Sequence, residues 1–319
     1  TYQFSQIHID ATRNATDDFN PFHAPYKWKK IRGNPFGSAI ALGFQLEALI
    51  AQKVTQHRHA TGEDQLITDH QLQFANYQLS FANVVRPGES IKIDIQPTKK
   101  KLSTENQISN RVVLRKDRSL ICMGYQRESR APLVFPKADF IGMGKLTNAK
   151  DRTYIENSQY FLKRKFMTTS NAKNFLAGSL IDQHEYFDEL ENRVCFPPIF
   201  PVAFLSCALL EKEHQNGYDF FGNPLVYTNH EISIDRTLLA EMKSNEPLNI
   251  LVKGPEIVKN AKGLGKVDIP LYAYDCYGLV EDNKILYRAK VFLAQLDAIL
   301  GNQETPTTAF SQQGASRTK

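Results

Sequence analysis

The feature that most constrains this chain is an order of elements that occurs twice. An apolar stretch that reads as a helix, Ala39–Gln56, is followed by four segments rich in β-branched and aromatic residues. These are Leu72–Phe81, Ser90–Ile95, Asn110–Leu114 and Leu120–Tyr125, with turns at Arg86-Pro87-Gly88 and Arg115–Arg118. In the second half a proline-rich loop, Cys195–Pro201, leads into a predicted helix at Val202–Gln215 and strands at Leu225–Ile234, Leu248–Val252, Lys266–Tyr274 and Lys284–Ala294. Shorter helical segments at 11–17 and 170–180 precede the long ones, and a strand at Tyr2–Ile9 is expected to open the chain.

A long helix followed by an antiparallel meander buries both apolar faces when the sheet wraps the helix. Two such units offset by about half of 319 residues favour duplication of one α+β unit over a single large domain. The expected division is 1–135 and 152–300, joined by a linker at 136–151. The tail 301–319 is rich in Thr, Gln, Ser and Gly, too polar to offset its ordering entropy, and is expected to be mobile.

Composition excludes several classes. An excess of 39 basic over 34 acidic residues gives +5, too small and too dispersed to indicate nucleic acid, though it suits an anionic ligand. Cys122, Cys195, Cys207 and Cys276 form no CxxC pair and no metal-ligand spacing, so they read as buried small hydrophobes in a reducing compartment, with no metal site. The longest uncharged stretch, Val194–Leu210, contains Pro197, Pro198 and Pro201, so no membrane span is expected. With no leader-like pattern at Thr1, a cytoplasmic location is the expectation.

The densest polar cluster is Asp18-Phe19-Asn20-Pro21-Phe22-His23. Proline keeps Asn20 out of the helical region, so the chain bends and can bring Asp18 and His23 towards one point. A carboxylate and an imidazole converging on one water can act as base and acid. Further on, Gly33–Gly43 leads into the long helix, whose first amides are unpaired and lie at the positive end of the dipole. Such amides can hold a developing oxyanion. An Asn-Pro turn with a surface histidine would also explain the cluster taken alone.

Together these residues resemble the MaoC-like (R)-specific enoyl-CoA hydratase and dehydratase family. Asp18, Asn20, Pro21 and His23 match its Asp-x-Asn-Pro-x-His block, and Phe36, Ile40 and Gly43 match the stretch that opens its central helix. Ala39 and Leu42 stand where proline and histidine are usual, while Ser80-Phe81 and Gly88-Glu89 match a third block. The resemblance covers about residues 5 to 125 and implies a double hotdog whose second unit lacks the Asp-x-Asn-Pro block.

It also implies reversible hydration of a trans-2-enoyl thioester to the (3R)-3-hydroxyacyl thioester, with no metal or redox cofactor. Asp18 and His23 would activate the water, Asn20 would hold the loop, and the Gly43 amide would polarise the thioester carbonyl. The partner would be an acyl-CoA or an acyl carrier protein thioester, and Lys27, Lys29, Lys30 and Arg32 would attract its phosphates or acidic surface. Two rival readings stand beside it. One is a non-catalytic acyl-thioester-binding scaffold. The other is a thioesterase using Glu47, which interrupts the apolar stripe of the long helix and reads equally as a residue on a polar or dimer-facing side. A monomer of two units and a homodimer are both compatible with the sequence.

Overall fold

A computed structural model describes residues 1–138, 140, 143–259 and 269–301. The tail expected at 301–319 lies, beyond Gly301, outside the described residues. In chain order the main elements of the first half are β1 (Tyr2–Gln3), α1 (Gln6–Ala15), α2 (Gly43–Ala60), β2 (Phe74–Phe81), β3 (Ser90–Ile95), β4 (Lys99–Lys101), β5 (Gln107–Lys116) and β6 (Ser119–Ser129). Those of the second half are β7 (Thr153–Tyr154), β8 (Phe161–Met167), α3 (Thr169–Gly178), α4 (Ile199–Gln215), β9 (Leu225–Asp235), β10 (Glu246–Lys259), β11 (Pro270–Leu279) and β12 (Ile285–Gln295).

These strands form one antiparallel sheet in the order β1-β3-β5-β6-β2-β9-β12-β11-β10-β8-β7, with β4 on β5. Counted outward from the centre, and setting aside the short β4, both halves place the first strand after the long helix, then the last, the third and the second. The doubled order read from the sequence is therefore a doubled topology. At the centre β2 and β9 pair from Phe74↔Asp235 to Ser80↔Asn229, which joins the two half-sheets. One large core cluster joins buried apolar residues of α2 and α4 with others from both half-sheets, and a smaller one gathers Leu162, Leu251, Tyr277 and Leu279 with Phe140 and Leu146.

Two elements depart from the sequence reading. Residues expected as a strand at 2–9 form α1 from Gln6, because Ser5 closes a cap with His8, whose Nδ1 accepts the Ser5 amide at 3.0 Å. Ile9, Thr12 and Ala15 then face inward at helical spacing. There α1 packs on α3 so closely that a Cβ on Gly178 would lie 2.2 Å from Thr12 Oγ1. Helix α4 begins at Ile199, ahead of the expected Val202, and holds Pro201 in its first turn, where a missing amide hydrogen removes no intrahelical bond.

The cysteines also divide. Cys122, Cys207 and Cys276 are buried, but Cys195 is exposed in the loop before α4, against the expectation for all four. Burial pushes the Cys207 thiol up to about 12 and those of Cys122 and Cys276 up as well. A thiol reagent at neutral pH should therefore modify one cysteine of the native chain and all four after denaturation, counted by mass spectrometry.

The last turns of α2 carry Arg58, 2% exposed. Its guanidinium donates to Glu128 Oε1 and Asn110 Oδ1, both at 2.8 Å, anchoring the helix to β6 and β5. Arg58→Ala would leave the Glu128 carboxylate buried with the neutral Gln126 amide, at 3.1 Å, and the more distant Arg236, at 3.4 Å. A loss of about 3 kcal/mol is expected in denaturant unfolding.

Candidate active site

The loop after α1 is wound by its own side chains. Asp17 takes a positive φ of 52° to end the helix, and the Asp18 amide closes back on the Arg13 carbonyl at 2.8 Å. Asp18 Oδ1 then accepts the Asn20 amide at 2.9 Å, and Asn20 Oδ1 accepts the Phe22 amide at 3.1 Å, two successive Asx turns. The His23 amide completes the bend on the Asn20 carbonyl at 3.1 Å. Asn20 thus bonds to two amides of the loop, through Oδ1 and through its carbonyl.

These turns bury Asp18 and His23, at 4% and 7% exposure. The His23 Nδ1 lies 2.8 Å from the Ile40 carbonyl, and a carbonyl can only accept, so Nδ1 carries the hydrogen. Nε2 of the neutral ring is then the lone-pair nitrogen. The segment that fixes this tautomer, Ala39–Leu42, leads directly into α2, with Leu42 as its extended cap residue.

His23, Asn20 and Gly43 line one cavity of about 90 Å³, whose other walls include Phe81 and the second half's Ser206, Leu209, Glu213, Tyr227 and Leu293. Gly43 is the first residue of α2, so helix geometry leaves its amide without an intrahelical partner. A Cβ there would meet Phe81 Cζ at 3.4 Å and His230 Cε1 at 3.6 Å, ordinary contact distances, so packing alone does not demand the glycine.

Asp18 itself is not among the lining residues. It sits close enough to the pocket for its carboxylate, after burial, to help push the phenol of wall residue Tyr227 up. Tyr227 shares a hydrogen bond of 3.1 Å with Ser206 of α4.

The basic residues divide. Lys27, Lys29 and Lys30 are exposed on the segment that follows His23, and Lys29 lies over the Trp28 ring at 5.5 Å. Arg32 is exposed as well, but its guanidinium pairs with Asp297 at 3.0 Å and its amide bonds to the Phe221 carbonyl. Among the described residues no cluster of His, Cys, Asp and Glu has the geometry of a metal site.

Glu47 faces the other half of the molecule. It is fully buried, its Oε1 is 2.9 Å from His230 Nδ1 on β9, and it does not line the pocket. The His230 ring is boxed by Phe44, Phe81 and Tyr227, with centroids 4.7, 5.0 and 4.5 Å away.

Sequence reasoning missed Ser206, Glu213, Tyr227 and His230. All four sit on ordinary core elements of the second half, and only the junction of the halves turns them towards the site.

No protein-family model and no curated protein matches the sequence. Among solved structures, a MaoC-like dehydratase superposes with a TM-score of 0.56 at 8% identity, covering 92% of this chain and 94% of that one. A putative MaoC domain protein dehydratase from Chloroflexus aurantiacus gives 0.55 at 8%, covering 92% of both. A conserved Mycobacterium tuberculosis protein described as having a double hotdog fold gives 0.53 at 10%, covering 92% and 93%. The fold is a double hotdog. Each half supplies one long helix wrapped by its own antiparallel strands, and the candidate site lies where the two meet.

In the second unit the loop geometry recurs with other side chains. Leu180, at φ 59°, ends α3 as Asp17 ends α1, and the following amide closes back in the same way, from Ile181 to the Leu176 carbonyl. Counting on from that residue, Ile181 stands where Asp18 does and Tyr186 where His23 does. The Tyr186 hydroxyl donates to Gln52 of α2 at 2.6 Å.

Because Glu47 Oε1 and His230 Nδ1 pair at 0% exposure while His230 Nε2 has no partner, Glu47→Ala should leave both buried ring nitrogens unpaired. Thermal or denaturant unfolding should report a loss of about 1–3 kcal/mol.

Proposed function

We propose that this chain adds water reversibly to a trans-2-enoyl thioester, forming the (3R)-3-hydroxyacyl thioester. The observation that carries this reading is the meeting, in one mainly apolar pocket, of a histidine with an assigned tautomer and the first amide of a helix. Nε2 of His23 takes a proton from water, and the Asp18 carboxylate, just behind the lining residues with Oδ1 accepting the Asn20 amide, reaches the same water only in the substrate complex.

The water oxygen bonds to C3, and the electrons of the C2–C3 double bond move to the thioester oxygen. The Gly43 amide stabilises that charge in a site shielded from water. Return of the proton from His23 to C2 completes the addition, and dehydration is the reverse. The reading is supported by the fold shared with MaoC-like dehydratases and by the match of Asp18, Asn20, Pro21 and His23 to that family's block.

The thioester would be carried by coenzyme A or an acyl carrier protein, with Lys27, Lys29 and Lys30 facing its phosphates or acidic surface. The thioesterase alternative loses its residue, because Glu47 is sealed against His230 away from the pocket.

Loss of the conjugated enoyl-thioester absorbance measures turnover directly. His23→Ala and Asp18→Asn should each lower kcat by about 10²–10⁴-fold. Gly43→Pro separates the amide from the fold: proline is favoured at the first helical position, and Leu42 already has the extended backbone that must precede it. That variant should fold and lose about 10²–10³ in kcat, the effect of one missing oxyanion donor. Saturable acyl-CoA binding without turnover would establish the scaffold reading instead, and release of free thiol would establish a thioesterase.

A further inference from the structure

One charged wall residue has no part in the hydration chemistry. Glu213, in the last turns of α4, lines the pocket while fully buried. Its Oε1 pairs at 2.7 Å with Lys212, itself 2% exposed, and the Lys212 ammonium lies 5.6 Å from the Tyr274 ring centroid. Its Oε2 is buried without a hydrogen-bond partner.

Two independent rulers place Glu213 relative to the reacting end. Helix α4 turns Ser206, Leu209, Leu210 and Glu213 to the pocket, a spacing of i, i+3, i+4 and i+7 that forms one stripe. At 1.5 Å per residue the stripe is about 10 Å long. Across the sheet, Ser206 bonds to Tyr227 on β9, while Glu213 lies beside Tyr274 on β11, where it adds to the effect of burial in pushing that phenol up. Strand β12 lies between them, Tyr227 pairing with Leu293 and Leu293 with Tyr272. Two strand spacings are again about 10 Å.

The pocket therefore runs from Tyr227 and the Gly43 amide, over Leu209, Leu210 and Leu293, to a buried ion pair. Its walls reward alkyl burial until Glu213, where a further methylene would press on a carboxylate without offering a hydrogen bond.

We propose that Glu213 is a specificity-determining residue that ends the acyl site and restricts the substrate to short and medium straight-chain thioesters. This rests on the hydration reading of the same pocket. At about 1.2 Å per bond of a fully extended chain, about 10 Å accommodates roughly eight carbons.

The test compares trans-2-enoyl-CoAs of four, six, eight, twelve and sixteen carbons with the wild type and two variants. Because Glu213→Ala alone strands Lys212 in the core, the first variant is Lys212→Met/Glu213→Ala, which removes the ion pair as a whole. The second, Glu213→Gln, keeps the volume and a polar end.

For the wild type, kcat/KM should fall at least tenfold between the octenoyl and dodecenoyl esters. The ratio of dodecenoyl to crotonyl turnover should rise at least tenfold in the double variant and stay near the wild-type value in Glu213→Gln. A wild type that takes hexadecenoyl-CoA as well as octenoyl-CoA, or a double variant with the wild-type profile, would overturn the role of Glu213 and leave the hydration reading intact. Absence of turnover with every ester would count against hydration itself. Calorimetric binding of the saturated acyl-CoA series to the same proteins then reads the chain-length limit directly, and an unchanged limit in the double variant overturns the proposal there too.

Discussion

The pairing of β2 with β9, from Phe74↔Asp235 to Ser80↔Asn229, is the contact on which the rest of the molecule depends. Without it each half-sheet would end in an unpaired edge running through the middle of the molecule. With it, α2 and α4 come into contact, and the buried polar side chains of α2 find partners in the other half. Glu47 meets His230, Gln52 receives the Tyr186 hydroxyl, and Gln45 donates to the Gly178 carbonyl at 2.6 Å. Separated, the first unit would expose to water the apolar residues of α2 that now pack on the other half and the unpaired edge of β2.

Duplication also explains how the site divides its labour. Both units end their first helix with a left-handed residue and the same closing amide, at Asp17–Asp18 and Leu180–Ile181. Only the first follows this turn with a buried carboxylate and imidazole, Asp18 and His23; Asp182 and His184, after the second, are exposed. In the second, Tyr186 has become a strut for α2, and the freed surface of α4 and β9 serves as wall. The proposed chemistry is a property of one loop and one helix start, whereas the shape of the pocket is a property of the partner unit.

Much of this was legible in local sequence because it is locally encoded. Asp18, Asn20 and Pro21 specify a bend through side chain to backbone bonds that span two residues each, and β3 falls on the predicted Ser90–Ile95. The strand expected at Tyr2–Ile9 failed because a capping interaction of Ser5 with His8 outweighed the β-like alternation that follows it.

Glu213 illustrates the opposite limit. In the string Ala208-Leu209-Leu210-Glu211-Lys212-Glu213-His214 it reads as the solvated end of a helix. Only the tertiary path of β11, which brings Tyr274 over it, makes Lys212 and Glu213 a buried pair. Cys195 erred in the other direction, read as core by composition and left outside by the loop that carries it.

A buried pair such as Lys212–Glu213 adds little to stability compared with well-packed apolar residues of similar volume, since desolvation consumes most of the Coulombic gain. Its presence in a core otherwise built of Phe, Leu and Tyr calls for a reason other than folding. The Glu47–His230 pair has one at hand: it ties the helix that begins at Gly43 to the strand that carries Tyr227, and so fixes the two walls of the pocket against each other. Lys212 has a packing role as well, its ammonium 5.6 Å from the Tyr274 ring centroid and 6.0 Å from that of Tyr154, whereas Glu213 alone of the pair lines the pocket. A carboxylate at the far end of an apolar pocket bears on what that pocket admits.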